Sequence, residues 1–239
     1  MRIMKAVIMA GGFGSRLRPL TDKLPKPMMP IIDKPILHYI VDRLVAGGIK
    51  DIAMTLGYMP ESIISYFGDG SAYGAKIRYF IEDKPLGTAG GVKNASKFID
   101  GPFLVMSGDA FTTIDINEMH AFHIARGAKV TMAVKTVDNP RGYGEVETDS
   151  NGKVLEFREK PKVYKSKLIN MGIYIMEREV LDMIPRGKYD FSNDLFPRLL
   201  GDIYSYKSDC YWSDIGTLPS YYATNMDVAA APAMFGYNI

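Results

Sequence analysis

The sequence predicts an α/β fold, and three observations predict it. Short apolar runs typical of buried strands alternate with segments of helical periodicity over residues 1–137. A glycine turn closes the first of these runs, as is common where a strand of a parallel sheet ends. After residue 137 the texture changes to shorter strand-like pieces joined by turn residues.

The elements of the first part alternate along the chain. Residues 5–10 form a short apolar run closed by Gly11, the pattern of a buried parallel strand. A helix over residues 35–46 begins with proline and stops at Gly47-Gly48. Further strands are predicted at 51–56, 76–81, 103–106 and 129–134, and helices at 60–67, 88–98 and 114–125. This alternation is typical of βαβ units, so we expect a Rossmann-like, three-layer αβα arrangement with a mostly parallel mixed sheet.

The second part continues without a linker. Strands at 144–148 and 154–157 are joined by Asp149-Ser150-Asn151-Gly152, a hairpin signal, and another strand covers 169–176. Helices are predicted at 177–184, 193–200 and 218–230. We therefore expect one domain over residues 1–239, with a first half at 1–137, a smaller second half at 138–228 and an apolar tail at 229–239. The tail packs either on the body of the protein or on another subunit. The sequence therefore does not decide between a monomer and a homo-oligomer.

Composition excludes several classes of protein. The chain has 239 residues and 47% hydrophobic content, enough to bury a full core. Its 29 basic and 27 acidic residues are too evenly balanced for a general nucleic-acid binder. The single cysteine, Cys210, excludes an internal disulfide framework and suits a reducing cytosol. The apolar run at 6–10 is too short for a signal peptide, and no segment approaches the roughly 20 apolar residues that span a bilayer. We expect a soluble cytoplasmic protein with neither nucleic acid nor membrane as a partner.

A glycine turn followed by basic residues indicates a phosphate-binding loop. Residues 11–30 contain one acidic residue, Asp22, and four basic residues, which are Arg16, Arg18, Lys23 and Lys26. Glycines let backbone amides approach an anion closely, and long cations then neutralise its oxygens. A dinucleotide-binding fingerprint is the competing interpretation, but it needs a glycine where Leu17 stands. A tight turn without a ligand would also explain the glycines, and an ordinary surface loop would also explain Lys26 between its two prolines.

Two isolated carboxylates complete this hypothesis. Asp109 follows the strand at 103–106 and therefore emerges at the same sheet edge as the glycine turn. Asp214 lies in a tight, apolar-flanked segment. Carboxylates beside phosphates hold magnesium, so the sequence predicts Mg²⁺-dependent chemistry on a nucleoside triphosphate. Either aspartate could instead have a capping role, Asp109 for the next helix or turn and Asp214 for the helix near Leu218.

Glu159 and Lys160 can contribute to one binding site only if the chain bends between them. Strand alternation sends these two side chains to opposite faces, so both reach one ligand only if the chain bends at Lys160 as it enters Pro161. An exposed, charged edge strand is the competing interpretation. Asn170 is a single polar residue in an apolar run, and it either binds a sugar hydroxyl or ends a strand.

These residues resemble a known family. Residues 11–21 read Gly-Gly-Phe-Gly-Ser-Arg-Leu-Arg-Pro-Leu-Thr and, with Leu-Pro-Lys-Pro at 24–27, resemble the signature of the sugar-1-phosphate nucleotidyltransferases. The resemblance continues through Pro-Leu-Gly-Thr-Ala-Gly at 85–90, Ser-Gly-Asp at 107–109, Glu-Lys-Pro at 159–161, Asn-Met-Gly at 170–172 and Trp-Ser-Asp-Ile-Gly at 212–216. It covers nearly the whole chain, in the right order.

The resemblance implies a role for each matching residue. The implied nucleotide-binding residues are Ala10, Gly11, Gly12, Gly14, Ser15, Arg16, Lys26, Glu82, Gly87 and Thr88. Among them, Arg16 faces the departing pyrophosphate, Lys26 contacts the phosphates at the reacting centre, and Glu82 and Gly87 contact the base. Asp109 and Asp214 bind magnesium, Lys160 grips the sugar phosphate, and Gly144, Glu159 and Asn170 contact sugar hydroxyls. The sugar-1-phosphate oxygen then attacks the α-phosphorus in line, pyrophosphate leaves, and no protein nucleophile is required.

Two features bear on the substrate. Residues 86–90, Leu-Gly-Thr-Ala-Gly, are similar to the mannose-1-phosphate guanylyltransferase branch, and the carboxylate of Glu82 can accept hydrogen bonds from guanine. Related thymidylyl- and uridylyltransferases often have glutamine there, although some uridylyltransferases have glutamate. We therefore favour GTP and mannose-1-phosphate, with a uridylyl- or thymidylyltransferase for glucose-1-phosphate or an amino sugar as the alternative. A non-catalytic sugar-nucleotide-binding regulatory subunit is the hypothesis from another class. One departure from the family pattern is Gly91, where alanine or proline is common.

Overall fold

The computed structural model describes residues 4–235, and it contains thirteen strands and six α-helices within that range. The strands are β1 (Lys5–Ala10), β2 (Pro30–Ile31), β3 (Lys34–Pro35), β4 (Asp51–Leu56), β5 (Lys76–Ile81), β6 (Phe103–Ser107), β7 (Ala110–Thr112), β8 (Val130–Thr136), β9 (Glu145–Thr148), β10 (Val154–Arg158), β11 (Leu168–Met176), β12 (Ile203–Lys207) and β13 (Trp212–Asp214). The α-helices are α1 (Ile36–Ala46), α2 (Pro60–Phe67), α3 (Gly87–Asn94), α4 (Ile116–Arg126), α5 (Phe196–Leu199) and α6 (Leu218–Ala230).

One nine-stranded sheet runs through the molecule. Its strands lie in the order β10-β9-β11-β6-β1-β4-β5, with β8 paired to β11 and β12 paired to β8. The pairs β1–β4, β1–β6, β4–β5 and β8–β12 are parallel, whereas β11 runs antiparallel to β6, β8 and β9. The predicted α/β fold with a mostly parallel mixed sheet is confirmed.

Helices cover both faces of this sheet, which gives the three predicted layers. Alternate residues of β1 enter opposite cores, because successive side chains of a strand point to opposite faces. Ile8 packs with Leu44 of α1 and Ile63 of α2 on one face. Val7 packs with Val92 of α3 and residues around α5 on the other. Both cores therefore follow from the apolar runs of the central strands.

In the first part of the chain the short strands β2, β3 and β7 were not predicted, and the helix predicted at 88–98 is α3 followed by a 3₁₀ turn over Ser96–Phe98. The larger differences from the predicted elements lie in the second part. The helix predicted at 177–184 is a 3₁₀ helix over Arg178–Met183, because its turn closes through hydrogen bonds between residues three apart. The helix predicted at 193–200 is a π turn over Phe191–Leu195 followed by the short α5. Strand β12 was not predicted. Its buried positions include the polar Ser205, and tyrosines stand on both sides of that serine, so no apolar alternation marks the strand. The three-residue β13 is too short to show a period.

The start of the predicted tail packs on the body of the protein. After α6 ends, a 3₁₀ turn over Pro232–Phe235 places the Phe235 ring 5.3 Å from that of Phe111 and 5.0 Å from that of Tyr211. Residues 236–239 of that tail lie outside the described residues. Among the helices of residues 4–235, none combines the length and apolar character needed to cross a bilayer.

Candidate active site

The loop after β1 folds back on itself around Gly14. Gly14 has a φ of 63°, and a Cβ atom there would lie 3.0 Å from Cβ of Lys26 and from Cγ2 of Thr21. The Thr21 hydroxyl donates a hydrogen bond to the Gly14 carbonyl at 2.9 Å. A left-handed residue without a side chain is therefore required for this close approach. The consequence is that Lys26 is brought behind the glycine turn.

Two short strands bring the two carboxylates together. Asp109 follows β6, and the antiparallel pairing of β7 with β13 places Ala110 opposite Asp214. The backbone amide of Ile215 also donates to the Asp109 carbonyl, at 3.3 Å. The capping roles do not hold, because Asp115 caps α4 and Thr217 caps α6.

The ammonium group of Lys26 lies between these carboxylates. Its Nζ atom donates to Oδ2 of Asp109 at 2.7 Å and to Oδ1 of Asp214 at 2.8 Å, and its side chain is only 7% exposed. Burial lowers the pKa of Lys26, but the two carboxylates together raise it above its ordinary value. For Asp109, burial also disfavours the charged form and therefore acts to raise the pKa. The Lys26 ammonium group and a hydrogen bond from the Ser107 hydroxyl outweigh burial, so the pKa of Asp109 lies below its ordinary value. Lys26 and Asp109 are therefore both charged at neutral pH.

This charge arrangement predicts an acid-sensitive contribution to stability. The pKa of folded Asp109 lies below its ordinary value of 3.8, so its contribution is present above that value and is lost as the pH falls through the folded pKa. The difference in the free energy of unfolding between wild type and Lys26→Met should therefore shrink when urea denaturation is followed from about pH 8 down to about pH 3. The Lys26 contribution itself persists until the pH rises through a folded pKa above 10.5. Lys129→Met, which breaks an exposed pair with Asp202, is the control, and a pH-independent difference for Lys26→Met would contradict the prediction.

Two adjoining cavities open at this edge of the sheet. The first, of about 200 Å³, is lined by Met9, Ala10, Gly12, Gly14, Ser15, Arg16, Lys26, Pro27, Asp109 and Gly216. The second, of about 300 Å³, is lined by Met9, Gly11, Gly12, Phe13, Thr55, Glu82, Pro85, Gly87, Thr88, Ser107, Asp109 and Asp190. They share Met9, Gly12 and Asp109. The structure thus brings every predicted nucleotide-binding residue to one of two neighbouring cavities.

The second cavity has fixed polar groups in its wall. Oε2 of Glu82 accepts a hydrogen bond from the Leu86 amide at 3.0 Å, and burial raises the pKa of this carboxyl group. Oδ1 of Asp190 accepts from the amide and the hydroxyl of Thr88, at 3.0 and 3.2 Å. Asp190 and Thr55 are not predictable as site residues from the sequence, because no local pattern links either of them to the glycine turn.

A third group of predicted residues meets at the start of β11. The Asn170 amide donates to the Gly144 carbonyl at 2.9 Å, and a Cβ atom on Gly144 would lie 3.0 Å from Oε2 of Glu159. Lys160 has a φ of 43°, so the chain bends at this residue. Its Nζ atom lies 3.2 Å from Oε1 of Glu159, and its side chain is half exposed. The bend that the sequence required for a shared site is therefore present, whereas Lys160 itself contacts Glu159 and lines neither of the two cavities.

The buried side chain of Glu145 holds the loop that carries Glu159 and Lys160. Its fully buried carboxylate accepts hydrogen bonds from the backbone amides of Lys165 and Ser166, and it forms an ion pair of 2.6 Å with Nη2 of Arg158. This residue was not predicted, since a single glutamate on a short strand gives no signal in the sequence. The contacts tie both ends of the 159–167 loop to β9.

Neutralising Glu145 should loosen this loop. Glu145→Gln keeps an acceptor but leaves Arg158 without its buried counter-charge, so we expect the free energy of unfolding to fall by about 2–3 kcal/mol in urea denaturation. We also expect faster tryptic cleavage after Lys162 or Lys165. Glu147→Gln, which removes a more exposed partner of the same Arg158, is the matched control. Equal losses of stability in the two variants would contradict the role assigned to Glu145.

This third group of predicted residues adjoins the two carboxylates. Gly172 has a φ of 74°, and a Cβ atom there would lie 3.2 Å from Cβ of Ser107, which donates to Asp109. The Trp212 indole donates to the Met171 carbonyl at 2.9 Å, and its ring centroid lies 5.3 Å from that of Tyr143. Strand β11, which carries Asn170, thus adjoins Asp109 through Gly172 and Ser107.

The two carboxylates also fit a magnesium ion. Each gives one oxygen to the Lys26 ammonium, and the other oxygens, Oδ1 of Asp109 and Oδ2 of Asp214, are available to a second cation. A Cβ atom on Gly216 would lie 2.9 Å from Oδ1 of Asp214 and 3.0 Å from Nη2 of Arg16, so glycine keeps the space beside Asp214 free. Over residues 4–235, no cluster of three or more acidic, histidine or cysteine side chains forms a metal site. Two carboxylates alone suit Mg²⁺, which usually takes its remaining ligands from water and substrate phosphates.

Comparisons with known proteins show the family to which the chain belongs. The family model described as nucleotidyl transferase matches residues 5–231. A UTP–glucose-1-phosphate uridylyltransferase from Synechocystis sp. is 41% identical over 92% of the chain, and a mannose-1-phosphate guanylyltransferase from Mycobacterium tuberculosis is 38% identical over 97%. The crystal structure of HddC from Yersinia pseudotuberculosis complexed with GMP-PN has a TM-score of 0.83 and 29% identity, over 94% of this chain and 99% of that one.

The curated relatives are longer than this chain, which spans 62% of the Synechocystis protein and 67% of the Mycobacterium protein. The match nevertheless extends over all of the main sheet and through α6. The chain therefore belongs to the nucleotidyl transferase family, and its named relatives are sugar-1-phosphate nucleotidyltransferases.

Proposed function

We propose that this protein condenses a nucleoside triphosphate with a sugar-1-phosphate, giving a nucleoside diphosphate sugar and pyrophosphate. The observation that carries the proposal is the meeting of Lys26, Asp109 and Asp214, because Asp109 lines both cavities and Lys26 lines the first of them. In this proposal residues 1–137 supply most of the nucleotide site. Residues 138–228 supply the sugar-phosphate site and also Asp214. In-line attack then requires a sugar phosphate bound near Asn170 and Glu159 to reach the α-phosphorus from the side opposite the departing pyrophosphate.

The chain's own residues act by position and charge. Arg16 and the glycine turn neutralise the phosphates that leave as pyrophosphate, and Lys26 neutralises the oxygens of the reacting phosphorus. Bound magnesium, held by Asp109 and Asp214, would add further charge neutralisation at the same oxygens. Holding both substrates in line replaces a chance encounter by a fixed geometry, so no covalent intermediate on the protein is needed.

We propose GTP and mannose-1-phosphate as the preferred pair, and Glu82 is the support. Its carboxylate lies in the wall of the second cavity, where it can accept hydrogen bonds from the N1–H and 2-amino groups of guanine. The guanylyltransferase from Mycobacterium tuberculosis supports the same choice. The uridylyltransferase from Synechocystis sp. supports UTP and glucose-1-phosphate as the alternative.

Pyrophosphate release tests this function directly. The assay pairs GTP, UTP, dTTP and ATP with mannose-1-phosphate, glucose-1-phosphate and glucosamine-1-phosphate, in the presence of Mg²⁺. Fastest release with GTP and mannose-1-phosphate would support the proposal. Preference for UTP or dTTP would overturn the base assignment but not the reaction, whereas tight binding of sugar nucleotides without any turnover would favour a regulatory protein.

Lys160 gives a separate test of the sugar-phosphate site. Because its ammonium group lies beside Glu159 at the bend, we expect Lys160→Ala to raise the KM for the sugar phosphate roughly 10-fold and the KM for the triphosphate much less. Lys162→Ala, an exposed lysine of the same loop, is the matched control and should change neither constant. Equal increases of both KM values in Lys160→Ala would contradict the assignment.

A further inference from the structure

Two adjacent glycines stand inside α3, where glycine is disfavoured relative to alanine. Each is explained by a different neighbour. A Cβ atom on Gly90 would collide with the backbone carbonyl oxygen of Gly187, so Gly90 is required by the packing of the main chain. A Cβ atom on Gly91 would instead lie 2.6 Å from Oε1 of Glu82. Gly91 therefore leaves room for one side chain, and that side chain lies in the wall of the second cavity.

The Glu82 carboxylate is fixed on several sides in this position. Its Oε2 atom accepts from the Leu86 amide at 3.0 Å. Its Oε1 atom lies 3.7 Å from where a Cβ atom on Gly11 would stand, and the buried Thr55 lies on the same side as Gly91. The carboxylate is thus packed between the glycine turn and α3, in a space that the missing side chain of residue 91 provides.

We propose that Gly91 is a specificity-determining position, which sets the choice of base by letting the Glu82 carboxylate lie against α3. This inference rests on the proposed function, in which Glu82 contacts the base. A methyl group at position 91 would displace the end of a flexible side chain and no backbone atom. Its expected effect is therefore on base selection, with little effect on folding.

A double-mutant cycle tests the proposal with Gly91→Ala, Glu82→Ala and the double variant. We measure kcat/KM for GTP, UTP and dTTP at saturating sugar-1-phosphate, together with the thermal unfolding midpoint. Gly91→Ala should lower kcat/KM for the preferred triphosphate about 10-fold relative to the others, as expected for a misplaced hydrogen-bond acceptor. The KM for the sugar phosphate should stay unchanged. In the Glu82→Ala background, Gly91→Ala should cause no further change in base preference.

Gly90→Ala is the matched control, since its methyl group would meet the Gly187 carbonyl oxygen and the Leu86 Cβ atom and not the Glu82 carboxylate. We expect it to lower the thermal midpoint clearly, whereas Gly91→Ala should stay near wild type. An unchanged base preference in Gly91→Ala, alongside an altered preference in Glu82→Ala, would overturn the inference and leave the proposed function intact. Additive effects in the double variant would overturn it as well. An unchanged preference in Glu82→Ala would remove the base role of Glu82 and this inference together, while pyrophosphate release would still support the transferase.

Discussion

Asp109→Asn is expected to lower kcat about 1000-fold without unfolding the protein. Asparagine keeps the shape of the side chain and can still accept from Ser107, but it removes one of the two negative charges that converge at Lys26. The loss should fall on turnover, because this charge is needed where phosphate charge redistributes. The measurement is steady-state pyrophosphate release at several Mg²⁺ concentrations, with circular dichroism to establish folding.

Asp115→Asn is the matched control for that substitution. Asp115 also accepts backbone hydrogen bonds, but it caps α4 on the surface, away from both cavities. We expect unchanged turnover in this variant, with a loss of stability of about 1 kcal/mol at most. A wild-type rate in Asp109→Asn would remove the metal role assigned to this residue.

Lys26→Met is expected to lower kcat/KM by at least about 100-fold. The substitution preserves the buried stem of the side chain and removes the only ammonium group that contacts both carboxylates among the described residues. Asp109 and Asp214 then face each other without the intervening cation, so we also expect a lower free energy of unfolding, by about 1–2 kcal/mol because both carboxylates are partly exposed. Kinetics over a range of triphosphate concentrations and urea denaturation measure the two effects.

Lys23→Met provides the comparison, since Lys23 is an exposed cation of the same basic loop. It should change kcat/KM only slightly, through long-range attraction that added salt would screen. Similar losses in Lys23→Met and Lys26→Met would show that the loop acts through its overall charge, and this would contradict a specific contact of Lys26 with the reacting phosphate.

The central fold could be predicted because its signals are local. The strands β1, β4 and β6 are buried on both faces and therefore appear as continuous apolar runs. Strand β12 could not be predicted in this way, because the buried Ser205 interrupts its apolar run and only its pairing with β8, in which Ile203 lies opposite Val130, defines it as a strand. For the same reason, β13 is defined by its partner β7 and not by its own three residues.

In the site, too, features with a local sequence signal could be predicted and contacts between remote residues could not. The position of Asp109 at the sheet edge follows from its distance to β6, so the sequence was sufficient to predict it. The contact of Lys26 with both Asp109 and Asp214 joins residues 83 and 188 positions apart, which no local pattern encodes. The packing of Glu82 against Gly91 was equally out of reach, because it depends on how β5 and α3 lie together.

Strand β11 makes the two ends of the site mechanically continuous. It pairs with β6 over residues 173–176 and with β9 at Ile169, and it pairs with β8 at both of its ends, over residues 168–170 and 174–176. A hinge between the nucleotide and sugar sides would have to break these buried backbone hydrogen bonds, which is costly. Closure over the substrates is therefore expected to come from the exposed parts of the 11–27 and 159–167 loops, away from the buried Lys26 and the contacts of Glu145, and not from the rotation of one lobe against another.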